Sequence, residues 1–107
     1  MDQFGDESDL YVDYPLIAGA DFVLRYTLAP LDWTGAIGLL KIDTLAPAGL
    51  AATLTVTGGV IKTSEFKRVI AAATTAGYAK GVYPYGVWIT YPGGTVRRHG
   101  HGRIIVQ

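Results

Sequence analysis

The chain has 107 residues, half of them hydrophobic, a formal net charge of zero and no cysteine. That length suits one domain with a single buried core, and the missing thiols exclude a disulfide framework and thiolate metal sites. The start MDQFGDESD is acidic and has no apolar h-region, and no window approaches the roughly 18 uninterrupted apolar residues of a spanning helix. The expectation is a protein of a reducing cytoplasm with no membrane anchor of its own.

The first 14 residues are polar and lack a sustained period, so residues 1–14 are expected to be a flexible acidic arm and residues 15–107 the folded domain. Charge is divided accordingly. Residues 1–13 hold Asp2, Asp6, Glu7, Asp9 and Asp13 and no base, giving −5, whereas residues 62–107 hold seven bases against Glu65, giving +6. Such opposite poles either stay solvated or dock tail to body. Phe4, Leu10, Tyr11 and Tyr14 give the arm apolar material of its own.

From Asp21 the pattern alternates. Phe22, Leu24, Tyr26 and Leu28 share one parity and Val23, Arg25 and Thr27 the other, a half-buried strand that Pro30 ends. Residues 36–43 repeat the pattern, with Leu40 and Ile42 on one face and Ile37 and Leu39 on the other. In residues 52–63 a Gly-Gly pair between β-branched runs predicts a hairpin. Residues 66–81 predict a strand and then a short helix. Residues 82–91 form a strand interrupted by Pro84, which cannot donate to a ladder, and the turn at residues 92–94 returns it through residues 95–106. Short strands at this spacing, with at most one short helix, predict an all-β, antiparallel β-sandwich.

Chemistry is sparse. His99 and His101, two apart on an extended strand, would place both rings on one face, but no further ligands stand nearby in sequence and three arginines crowd them, so no metal or other cofactor is expected. Neither serine lies in a nucleophile elbow, and no carboxylate pair is set for acid–base work, so no enzyme is expected. A row of aromatics comprising Tyr83, Tyr85 and Tyr91, with Trp88 opposed and Trp33 beside a turn, either fills the core or forms a stacking platform. Nucleic-acid binding calls for a basic domain, and this one is neutral.

One resemblance stands beside these readings. The order Ile17-Ala-Gly19-x-Asp21, an alternating strand, Leu31-Asp32-Trp33-Thr34-Gly35-Ala36, and the ending Gly81-Val-Tyr83-Pro-Tyr85 … Gly102-Arg-Ile-Ile-Val106 is similar to small β-sandwich domains of tailed-bacteriophage virions. Among these is the N-terminal domain of baseplate upper proteins. The likeness covers about residues 16–107, with Trp33 where the pattern usually has Leu. It implies an immunoglobulin-like sandwich in which Tyr83 and Tyr85 bury their rings and send their hydroxyls to backbone, as in a tyrosine corner.

The resemblance further implies a structural virion component, in the tail, baseplate, neck or head. Such an adaptor would be made in the host bacterial cytoplasm and act through contacts with other phage proteins. It would self-associate in the particle and bind neither nucleic acid nor membrane. The expected interaction residues are Phe4, Asp6, Glu7, Asp9, Leu10 and Tyr11 of the arm with Arg97, Arg98 and Arg103 as receiving charges, ordered across a subunit boundary. The alternative is a carbohydrate-binding module using Trp33, Tyr83, Tyr85, Trp88 and Tyr91 on host-surface glycans.

Overall fold

Burial follows the predicted alternation. Phe22, Leu24 and Tyr26 are buried while Val23, Arg25 and Thr27 face solvent, because successive side chains of a strand point to opposite faces. The computed structural model describes residues 10–43 and 49–107. Among these residues the strands are β1 (Leu10–Tyr11), β2 (Tyr14–Leu16), β3 (Phe22–Leu28), β4 (Ile37–Ile42), β5 (Gly49–Thr57), β6 (Thr63–Ile70), β7 (Gly81–Thr90) and β8 (Val96–Val106). A single helical turn, α1 (Ala72–Thr75), follows β6 as expected.

The strands form one curled, mixed sheet in the order β1-β8-β7-β4-β5-β6-β3, with β2 also on β8. Five of the pairings are antiparallel. The expectation of a wholly antiparallel sheet is corrected at one edge, where β1 and β2 run parallel to β8. One side of β8 is taken by β7, and the N-terminal segment supplies hydrogen-bond partners for backbone groups on the other, which would otherwise lie open. Leu10, Tyr11 and Tyr14, expected in the arm, pair along β8.

The curl is built into β5. Its residues from Gly49 to Ala52 pair with β4, whereas those from Thr53 to Thr57 pair with β6. One strand thus passes the ladder from β4 to β6. Gly38 on β4 makes room at that crossing: a Cβ there would lie 2.8 Å from Leu54 Cδ2 and 3.0 Å from the Phe66 ring. Beneath the curl, Leu24, Leu40, Phe66, Val87, Ile89 and Ile104 have no exposed surface. Each such side chain contributes about 1.5–3 kcal/mol by leaving water.

Both Gly-containing turns depart in detail from their predicted form. The β5–β6 connection runs over residues 58–62 rather than closing on Gly58-Gly59, so Val60 and Ile61 lie exposed at its tip and the return strand starts at Thr63. The β7–β8 turn is closed by the Gly94 amide to the Tyr91 carbonyl and the Tyr91 amide to the Thr95 carbonyl, each 2.8 Å. Gly94 carries the positive φ of 94°, and Gly93 has open space around it. Gly94→Val is therefore expected to destabilise the protein by about 1–3 kcal/mol, while Gly93→Val stays within about 0.5 kcal/mol. Thermal melts of the two variants check this; equal losses would refute it.

Candidate functional site

Asp13, between β1 and β2, meets Arg103 of β8. Its carboxylate lies 2.8 Å from Arg103 Nη2, and its Oδ1 also accepts the Arg103 backbone N–H at 3.0 Å. The Arg103 side-chain hydrogen bond holds the Asp13 carboxyl below its ordinary value of 3.8, and Asp13 in turn raises Arg103. Just before it, the Tyr11 ring stands edge-on to His101 at 5.1 Å. The Val12 amide donates to the His101 carbonyl at 3.0 Å.

Behind this edge lies a relay of tyrosines. Tyr85 of β7 donates its hydroxyl to the Val12 carbonyl at 2.6 Å and lies 2.5 Å from the hydroxyl of Tyr26, so Tyr26 donates to Tyr85. The Tyr26 ring reaches across because Gly100 of β8 has no side chain: a Cβ there would stand 2.5 Å from that ring. Tyr14 packs its ring within 5.9–6.3 Å of Phe22, Tyr26 and Tyr85 and donates its hydroxyl to the Arg25 carbonyl of β3. The two ends of the sheet order are tied together in this way. Burial pushes the Tyr85 hydroxyl far above its ordinary value of 10.

A second polar cluster closes the other end of the sheet. Trp33 Nε1 donates to the Tyr91 hydroxyl at 3.2 Å, and that hydroxyl lies 2.7 Å from His99 Nε2. The Trp33 backbone amide donates to Ser64 Oγ, which donates to the Leu31 carbonyl. His99 is buried here because β8 carries a bulge: Val87 pairs with Gly100 but Trp88 with Arg98, leaving His99 as the extra residue. A bulge re-aims a side chain. The expectation that His99 and His101 share a face is therefore corrected; His99 meets Trp33 and Tyr91, whereas His101 meets Tyr11. The described residues contain no cluster of three or more metal-ligating side chains.

The five rings named for a glycan platform differ in exposure and in the face they occupy. Trp33 is 1% and Tyr85 5% exposed, and Tyr83, Trp88 and Tyr91 are half-buried. Trp88 lies on the opposite face from Tyr85, with Lys41 Nζ 4.9 Å over its ring. The inward parity of β7 buries Tyr85 and leaves Tyr83 half-buried. Tyr83 spends its hydroxyl on the Ala79 carbonyl at 2.6 Å.

Of the expected interaction residues, Phe4, Asp6, Glu7 and Asp9 lie outside the described residues. Leu10 and Tyr11 are exposed on β1 and paired along their own β8, not displayed for a neighbour alone. Arg97 and Arg98 pair across the ladder with Ile89 and Trp88, and Arg103 with Pro84. Only Arg103 receives a charge from the described part of the segment, and that charge is Asp13 of the same chain. Asp13 was not singled out as a site residue.

A shallow open depression of about 490 Å³ lies on the outer surface of β5 and β6, lined by Thr53, Thr55, Glu65, Lys67 and Arg68 among others. Its charges are engaged locally: Glu65 lies 3.3 Å from Arg25, and Arg68 donates to the Ala51 carbonyl. Among the described residues no helix is long and apolar enough to cross a membrane. Comparison of this chain with protein-family models, with curated proteins and with solved structures gives no match.

Two outcomes test these contacts. Tyr85→Phe removes the hydroxyl that accepts from Tyr26 and donates to the Val12 carbonyl, and is expected to cost about 1–3 kcal/mol in denaturant unfolding. A raised tyrosine stabilises the fold fully below its unfolded value and loses that contribution as pH climbs above it. The deficit of Tyr85→Phe should therefore be constant around neutrality and shrink above about pH 10. Asp13 has the opposite sign. Its lowered carboxyl stabilises above its ordinary value and ceases to do so as pH falls through the folded value, so Asp13→Asn should differ from the parent at neutral pH and converge with it in acid. Parallel losses at every pH would refute both.

Proposed function

We propose that this chain is a structural component of a tailed-bacteriophage particle, an adaptor that acts by protein–protein contact. One observation carries the proposal: the residues on which the resemblance rests serve as joints of the fold. The Gly19 amide donates to Thr75 Oγ1, and Asp21 Oδ1 accepts the Ala72 amide at the start of α1. Asp32 Oδ1 accepts both the amide and the hydroxyl of Thr34, and the chain then turns at Gly35 with φ 76°. Tyr83 and Tyr85 send their hydroxyls to backbone carbonyls. Trp33, in the place of the usual Leu, is core.

The finer architecture belongs to the same proposal. β3, β6 and the second half of β5 form one leaf of an immunoglobulin-like sandwich, and β8, β7, β4 and the first half of β5 the other. The transfer of β5 between partners, the Tyr26 ring on Gly100 and the Tyr83 hydroxyl on a carbonyl four residues upstream support this; the last is the bond of a tyrosine corner. Function then resides in surfaces, with other phage structural proteins and further copies of the chain as partners.

The test is biochemical. Particles produced from a genome that carries this gene, banded on a density gradient, should contain the chain at a fixed ratio to the major capsid protein after a high-salt wash. The genes on either side should encode capsid or tail proteins. Absence of the chain from washed particles would overturn the proposal, as would glycan-array binding abolished by Trp88→Ala, which would restore the carbohydrate reading.

A further inference from the structure

The ladder between β5 and β6 ends before either strand does. Its last pair is Thr53 with Lys67. Beyond that point β5 pairs with β4 from Ala52 back to Gly49, while Arg68, Val69 and Ile70 of β6 pair with β3. The depression of about 490 Å³ lies over this fork, with Ala51 of the departing strand and Val69 of the other in its lining.

Cations gather there. Lys67 lies directly opposite Arg25 of β3, a like-charge cross-strand pair of the kind that destabilises a sheet. Arg25 turns to Glu65 at 3.3 Å. Arg68 donates through Nη1 to the Ala51 carbonyl at 3.1 Å, and its Nε is buried with no hydrogen-bond partner among the described residues. Lys67 is the charge left over: it is half-buried, and no acid among the described residues pairs with its ammonium. Three cations thus share one carboxylate, already taken by Arg25. Thr53 beside Lys67 and Thr55 beside Glu65 are exposed, and their hydroxyls can donate to an anion.

We infer that this fork is a docking site for an acidic segment of a partner protein, whose carboxylates take Lys67 and Arg68 while Arg25 stays on Glu65. The uncompensated positive charge sets the sign of the occupant. The opposed Arg25 and Lys67 cost stability in the free chain, and an arriving carboxylate relieves them. The shallow, open shape and polar lining suit a stretch of polypeptide; a small molecule calls for a concave, mostly apolar pocket. Nucleic acid calls for a basic domain, and this chain has no net charge. Exposed ion pairs are individually weak, so the site selects and orients a partner more than it holds one. The inference does not depend on the virion reading.

NMR titration of the isotope-labelled full chain with end-capped hexaglutamate tests it, with end-capped hexaglutamine as the uncharged control. Hexaglutamate should shift the amide signals of residues 51–55 and 65–69 saturably, and hexaglutamine should not. K67E should weaken hexaglutamate about tenfold, since one attraction is replaced by a repulsion. The milder K67Q should weaken it about threefold. K80E makes the same charge change outside the depression and should leave binding within about twofold. Absence of a saturable shift at those residues, or an equal loss in K80E, would overturn the inference. So would a dodecathymidine oligonucleotide that binds the same residues more tightly than the peptide, because the site would then belong to nucleic acid.

Discussion

The curled sheet depends on one close approach, the Tyr26 ring of β3 resting on Gly100 of β8. No other residue type leaves room there, since a Cβ would sit 2.5 Å from the ring. Because the ring can descend, its hydroxyl reaches Tyr85, and the Tyr85 hydroxyl reaches the Val12 carbonyl. One end of the sheet order is thereby joined to its middle and to the N-terminal segment by groups that would be costly to bury unpaired. Gly38 serves the same purpose on β4, admitting Leu54 and Phe66. Both glycines give up side-chain volume so that side chains of other strands can come close.

The N-terminal segment completes this arrangement instead of hanging from it. Its Tyr14 ring packs on Phe22, Tyr26 and Tyr85 while the hydroxyl binds β3. Its backbone pairs with the outer side of β8, and Asp13 anchors Arg103. Ordering backbone is costly; here packing of the Tyr14 ring offsets the cost and Asp13 holds its place against Arg103. What lies along β8 thus governs whether that edge is closed or open to a partner, which matters for any protein that works by assembly.

Most conspicuous polar residues of the described chain have structural duties. Trp33, Tyr91 and His99 form a hydrogen-bonded chain at one end, with Ser64 bridging Trp33 and Leu31. Thr75 Oγ1 donates to the Ala20 carbonyl and accepts the Gly19 amide, while Asp21 receives the first amide of α1. A scaffold whose hydroxyls and carboxylates are spent on its own turns leaves recognition to its edges and outer faces. The proposed adaptor role is consistent with that distribution.

Period-two alternation by itself determined the strands. Residues 22–28, 36–43 and 82–91 each place their apolar parity inward, because a strand's side chains alternate whatever it pairs with. The strand, the short helix and the hairpin after residue 91 were legible for the same local reason, as was the reach of Tyr83 and Tyr85 to backbone once the resemblance was drawn. Partner choice was not legible. That β1 and β2 lie parallel on β8 depends on which edge is left open after the other strands have paired, which no local pattern encodes. The separation of His99 from His101 turns on a bulge whose single extra residue reverses the parity. The burial of Tyr85 was not legible either, because parity says only that a tyrosine points to one side, and the tertiary structure decides whether that side is covered.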